Sequence, residues 1–268
     1  MQLTKSFADP LSLLVAVLAG LPAQTPTRLT TGGAVSTSLD NRLVDAGGVL
    51  FFGPLANEVP LWKSTGTVAS TVMVRPFVYG LWGQRLSGGE WHGELLFGAN
   101  DGPNQFEGQL WRSNGTAVGT TLVAQVAPAR TAGSREQTPV FVRLGGALCF
   151  LGSDAAGGGE PWRTDGTTAG TYRLRDINPG STGSTPLHFT AFKGHVYFVA
   201  DDGTAAAIWR TDGTIAGTQV FSSVIAGGTF LGNFAVLGDH LLIPTGAIST
   251  APTGRPPARS SWRRCRRR

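Results

Sequence analysis

Short runs in which apolar and polar residues alternate recur along the chain, and each run ends at a glycine-bearing turn. Residues 186–224 display the pattern in full. Leu187 to Lys193 alternates and enters a tight turn at Lys193-Gly194, and His195 to Ala200 alternates again. Asp201-Asp202-Gly203 turns the chain, and Ala206 to Thr211 follows with Trp209 near its end. Asp212-Gly213-Thr214 makes the next turn, and Thr218 to Val224 closes the unit. A period of two means one face inward and one outward, so the pattern predicts four antiparallel strands joined by hairpin turns.

The unit repeats. Four segments align without gaps, beginning at Trp62, Trp111, Trp162 and Trp209, and the tryptophans stand 49, 51 and 47 residues apart. The third and fourth read Trp-Arg-Thr-Asp-Gly-Thr-x-Ala-Gly-Thr, the second has Asn114 for the Asp, and the first has Thr65 there and Ser70 for the second Gly. An apolar segment precedes each: Gly48 to Phe52, Gly93 to Phe97, Gly146 to Phe150 and Gly194 to Phe198. A fifth copy, Asp239 to Ile243, has no tryptophan in the expected place after it. Four short strands in roughly 40–50 residues are the period of a propeller blade. The predicted fold is therefore all-β, a β-propeller-like array with about four full blades and one incomplete. In the turn, Asp165, Asp212 and Asn114 are expected to accept hydrogen bonds from backbone amides while Gly takes positive φ. The four tryptophans are expected to bury their faces between neighbouring blades.

Composition agrees. Gly (38) and Pro (16) make about a fifth of the 268 residues, charged residues are 15% and hydrophobic residues 41%, which excludes a disordered chain, a coiled coil and a helical bundle. The net charge of +5 belongs to the C-terminus, because residues 255–268 hold seven arginines and no acid, and the remainder carries −2. An acidic body gives no nucleic-acid footprint. Cys149 lies in an apolar run and Cys265 in the arginine tail, a spacing that supplies neither a disulfide framework nor a metal site.

The motif Trp-x-x-Asp-Gly-Thr-x-x-Gly-Thr resembles the ELWxxDGT repeat of secreted and surface proteins of bacteria. Glu160-Pro161-Trp162 and Gln109-Leu110-Trp111 stand at the Glu-Leu-Trp position. Arg175-Asp176-Ile177-Asn178-Pro179-Gly180 and Phe198-Val199-Ala200-Asp201-Asp202-Gly203 are further marks of the family. The resemblance covers about residues 39–245. It implies a repeat scaffold and carries over no catalytic residues.

Candidate chemistry is sparse. Alternation places the turns after Phe52, Phe97, Phe150 and Phe198 at the same end of each unit as the connectors 76–92, 127–139 and 178–186. That end carries Asp101, Asp154 and Asp202, each four residues after a Phe, while Ala56 takes the place in the first unit. Two readings stand: turn-capping aspartates, or carboxylates repeated around one mouth that hold Ca²⁺, the metal suited to such oxygens. The insert 78–92 gathers Tyr79, Trp82, Arg85, Glu90, Trp91 and His92 and is the best candidate for a ligand-contacting loop. Glu90 and His92 form an acid/base pair only with a further partner. His188, His195 and His240 have no metal spacing, and no nucleophile elbow, phosphate loop or HExxH is present.

The ends complete the expectation. Residues 1–23, with Lys5, the apolar run Leu11 to Leu21 and Ala23, read as a signal peptide too short to span a bilayer. Residues 36–245 read as the repeat domain, and residues 246–268 as a disordered Arg/Pro-rich tail, either a genuine basic tail or the product of a shifted reading frame. The expected protein is exported or on the cell surface and has no membrane span in its mature form. It acts without catalysis as an interaction scaffold for a protein or glycan ligand on the connector face, with no cofactor beyond the Ca²⁺ alternative. The competing expectations are a secreted propeller enzyme acting on polysaccharide and a truncated product without independent function.

Overall fold

The computed structural model describes residues 43–53, 60–78, 81, 86, 88–102, 108–128, 141–155, 158–223, 228–230, 233–247 and 261–264. Residues 1–23, read above as a signal peptide, and Ala56, Tyr79, Trp82, Arg85 and Cys265 lie outside them. Among the described residues every regular element is a strand, and no helix is long and apolar enough to cross a membrane. The chain divides into two compact units, Met1–Pro128 and Ala129–Arg268.

The first unit holds two four-stranded sheets, each with its strands in sequence order. One comprises β1 (Val44–Ala46), β2 (Val49–Phe52), β3 (Leu61–Ser64) and β4 (Val72–Arg75). The other comprises β5 (Gly88–Trp91), β6 (Glu94–Ala99), β7 (Gln109–Ser113) and β8 (Thr120–Ala124), and β9 (Ala127–Pro128) ends the unit. In the second unit β10 (Val142–Leu144), β11 (Ala147–Ser153), β12 (Glu160–Thr164) and β13 (Tyr172–Arg173) form one sheet in sequence order. The strands β14 (Leu187–Phe192), β15 (His195–Asp201), β16 (Ala206–Thr211) and β17 (Gln219–Ser222) form the next. Consecutive strands within each of these four sheets pair antiparallel, as the hairpin turns require.

Register repeats from sheet to sheet. The pairs Phe52 with Trp62, Phe97 with Trp111, Phe150 with Trp162 and Phe198 with Trp209 are directly opposite one another. In three sheets the outermost strand bulges beside the tryptophan, which leaves Val74, Val123 and Phe221 as the extra residues. The second strand of each sheet supplies the core: Phe51, Phe97, Phe150 and Phe198 are almost wholly excluded from solvent. Each such ring contributes about 1.5–3 kcal/mol by leaving water.

Two elements depart from the expected layout. Residues 88–91, assigned to a connector, are the first strand of the second sheet. Two glycines with low strand propensity hid it. A β-carbon on Gly88 would lie 2.6 Å from the Leu96 carbonyl oxygen, so the close approach of the strands demands glycine there. The fifth copy builds a sheet in which β18 (Gly228–Phe230) and β19 (Ala235–Leu237) pair along β20 (His240–Ala247), which also pairs with β21 (Ser261–Arg264). Four residues of the tail thus form a fourth strand of this sheet. Trp262 pairs with Pro244 and Arg263 with Ile243, one residue out of register with the Phe–Trp pairing of the other sheets.

Candidate functional site

The repeat motif is a hydrogen-bonded cassette. Asp165 Oδ1 accepts from the Thr167 amide at 2.9 Å and from its hydroxyl at 2.6 Å. The Thr167 hydroxyl oxygen in turn accepts from the Gly170 amide at 3.0 Å, and the Thr167 carbonyl accepts from the Thr171 hydroxyl at 2.6 Å. Thr164 and Thr171 share a hydroxyl–hydroxyl bond of 2.7 Å across the base of the turn. Asp212 and Thr214 repeat these contacts, and Asn114 with Thr116 does so through its amide oxygen. The Thr167 hydroxyl holds the Asp165 carboxyl below its usual value, and the Thr214 hydroxyl does the same for Asp212. Asp165 and Asp212 are turn caps, as expected.

Two of the four repeat tryptophans, Trp111 and Trp209, pack as expected against residues that follow the preceding sheet, whereas Trp62 is half-buried and stacks on Phe52 of its own sheet at 6.3 Å. Phe77, which follows β4, meets Trp111 edge-on at 5.2 Å, and the Arg75 guanidinium lies over the same indole at 4.6 Å. In the second unit Ile177 packs with Trp209 and Phe198, and Arg175 lies over Trp209 at 5.4 Å. Both arginines stand thirteen residues after a repeat tryptophan and two before the apolar residue. In the sequence the Arg175-Asp176-Ile177 copy stands out as a family mark, but the matching Arg75-Pro76-Phe77 was missed, and its recurrence thirteen residues after Trp62 was the available signal.

Glu160, the Glu of Glu-Pro-Trp, is buried. Its carboxylate accepts from the amides of Ile177, Asn178 and Ser184 at 3.0, 3.2 and 2.9 Å and from the Ser184 hydroxyl at 2.6 Å. It fastens the connector 178–186 to its own sheet. Cys149 is wholly buried, and burial pushes its thiol up to about 12, which removes it from nucleophilic chemistry near neutral pH.

The three aspartates of the connector end have three separate settings. Asp101 Oδ2 is paired with Arg75, and its Oδ1 accepts from the Val78 amide at 3.1 Å. Asp154 takes both of its oxygens to the Arg173 Nη2, at 3.1 and 2.9 Å. Asp202 caps its own turn through the amides of Thr204 and Ala205 and the Thr204 hydroxyl, which holds its carboxyl below the usual value. Among the described residues no three His, Cys, Asp or Glu side chains stand together as a metal site.

Of the insert, Glu90 lies on β5 and His92 in the β5–β6 turn. The Glu90 carboxylate accepts from the Gly93 amide at 2.9 Å, and His92 takes positive φ (51°) beside the buried Trp91. His188 also has positive φ (60°), and its Nδ1 is 2.8 Å from the Asn233 side-chain oxygen.

Where the insert begins, the first unit has a cleft of about 550 Å³ lined by Pro60, Met73, Arg75, Pro76, Phe77, Val78 and Asp101. That volume suits a small ligand. The Arg75–Asp101 pair supplies its polar groups, and Met73 and Val78, 51% and 68% exposed, its open apolar ones.

No family model matches the chain, and no curated protein matches it. Solved structures resemble it at low identity. A puromycin hydrolase is 12% identical with a TM-score of 0.45, over 82% of this chain and 35% of its own. A prolyl endopeptidase is 12% identical with a TM-score of 0.46, over 83% of this chain and 34% of its own. A puromycin-hydrolyzing peptidase of Mycobacterium tuberculosis is 14% identical with a TM-score of 0.47, over 86% of this chain and 37% of its own. The chain thus spans about a third of the length of these proteins.

Proposed function

We propose that the chain is an exported, non-catalytic binding scaffold whose sheets are the blades of a propeller of the ELWxxDGT kind, about four complete and one incomplete. The observation that carries this reading is the use of the repeat's polar side chains in the fold itself. Asp165 and Asp212 close turns, Glu160 fastens a connector, and Arg175 lies over the tryptophan of the next sheet. Side chains so tied contribute shape and rigidity, which a binding scaffold needs. The cleft beside Arg75 and Val78 is the place on that scaffold where polar and apolar groups meet in the open. Export rests on Lys5 and the apolar run Leu11 to Leu21.

An array of immobilised glycans and peptides, probed with the purified protein with and without Ca²⁺, tests the reading. Retention of a ligand that is recovered chemically unchanged supports it. Conversion of the ligand would replace it with the enzymatic alternative.

A further inference from the structure

We infer that the cleft in the first unit binds a neutral, polyhydroxylated ligand, a sugar ring, through the Arg75–Asp101 pair. The inference rests on the scaffold reading above and supplies its ligand class.

The pair is peculiar to this cleft among equivalent positions. Arg75 and Arg175 hold the same place in their repeats, as do Asp101 and Asp202. In the second unit Arg175 donates to the Thr218 carbonyl at 3.1 Å while Asp202 turns back onto Thr204 and Ala205. In the first unit the residue two after Asp101 is Pro103, where the second unit has Thr204. Proline has no amide hydrogen, so Asp101 lacks the donor that the Thr204 amide gives Asp202. Its carboxylate is released to Arg75 and to the Val78 amide. The guanidinium meanwhile lies over the Trp111 and Phe77 rings, at 4.6 and 5.1 Å.

The chemistry of such a pair selects its ligand. A guanidinium has five N–H donors and a carboxylate about four acceptor positions. Asp101 engages one side of Arg75, which leaves donors directed elsewhere, and Asp101 keeps acceptor capacity beyond Arg75 and Val78. Donors and acceptors therefore stand side by side with no net charge. An anionic ligand meets the Asp101 charge and a cationic one meets Arg75. Vicinal hydroxyls, each both donor and acceptor, fit both groups at once. Met73 and Val78, with Pro60 and Pro76, offer an apolar wall to the C–H face of a pyranose ring.

The test is titration of the full chain with neutral hexose oligosaccharides, matched uronic-acid oligosaccharides and peptides, followed by tryptophan fluorescence and calorimetry. Neutral oligosaccharides should bind in preference to uronates. Asp101→Ala should weaken that binding at least tenfold, and Asp101→Asn, which leaves the Arg75 charge unbalanced, should shift preference toward uronates. Val78→Glu and Met73→Glu alter exposed residues and keep the fold, which melting curves check, yet should each weaken neutral binding at least fivefold. Three results overturn the inference: no neutral oligosaccharide binds, uronates or peptides are preferred by the unaltered chain, or sugar binding survives Val78→Glu and Asp101→Ala. In the third case the scaffold reading stands with its ligand site elsewhere. Chemical conversion of a sugar that these substitutions release would instead sink the scaffold reading and keep the site.

Discussion

The carboxylate of Asp212 fills the space that a side chain on Gly217 would need. The same holds for Asp165 and Gly170, and for Asn114 and Gly119. The last Gly of the repeat is therefore set by the Asp five residues before it. The first unit proves the dependence from the other side: with Thr65 in place of Asp, Ser70 replaces the Gly, and its hydroxyl oxygen accepts from the amides of Thr65 and Thr67 at 3.0 and 3.2 Å. One turn is thus closed in two ways, from either end.

That coupling predicts a non-additive double mutant. Gly170→Ser alone should destabilise by about 1–3 kcal/mol through overpacking. Asp165→Thr alone should cost about 1 kcal/mol through loss of the cap. The double variant carries the pairing already present at Thr65 and Ser70, so it should be more stable than the sum of the two predicts by about 1 kcal/mol or more. Chemical denaturation of the four proteins measures the cycle. Strict additivity would show that the two closures are unrelated.

Acid should act on the same turns. The folded carboxyls of Asp165 and Asp212 lie below the ordinary aspartate value. The unfolded chain then binds more protons in acid, so the stability these groups contribute is complete above the unfolded value and is lost as pH falls through it toward the lower folded value. Asn114 makes the same contacts and does not titrate. The variant carrying both Asp165→Asn and Asp212→Asn should therefore lose less stability than the parent between about pH 5 and pH 3. Parallel acid limbs in pH-dependent melting would refute the assignment.

Glu160→Ala should be among the costliest single changes. It would leave three amides of the connector without their acceptor, in a place closed to water. At about 1–3 kcal/mol for each orphaned donor, the loss should exceed roughly 3 kcal/mol and open residues 177–184 to hydrogen exchange. A small loss without local exchange would mean that the connector holds itself.

How much of this was legible follows from the kind of signal involved. The sheets and their turns were readable because alternation and the Trp and Asp-Gly-Thr marks are local, and strand period and turn chemistry are local as well. The strand at Gly88–Trp91 was hidden because Gly88 is required by the neighbouring strand, not by its own propensity. Arg75 was overlooked for a similar reason: its partners Trp111 and Asp101 lie in the next sheet, and only the fold brings them together. Asp101 and Asp202 looked alike in sequence, but Asp202 caps its own turn through the Thr204 amide while Asp101, followed two residues on by Pro103 in the sequence, pairs with Arg75. The readable signal was the missing amide, which matters only once the turn geometry of Asp202 is known.

The C-terminus gives the last prediction. Its composition of Pro, Ala and Arg reads as a disordered tail without strand. The pairing of Ser261–Arg264 with β20 changes that expectation. β20 is bordered on its other side by β18 and β19, so without β21 one of its edges would lose this partner. Open edges cost ladder hydrogen bonds and invite association with other chains. Deleting residues 259–268 should therefore lower stability by on the order of 1–2 kcal/mol, the net value of one or two ladder hydrogen bonds. It should also raise the tendency to self-associate, read by light scattering during thermal unfolding. Arg263→Pro should reproduce part of the effect while leaving the length of the tail unchanged, because proline removes a donor from the ladder. If the shortened chain melts at the parent's temperature and stays monomeric, β21 contributes nothing to the fold and the fifth sheet ends at β20.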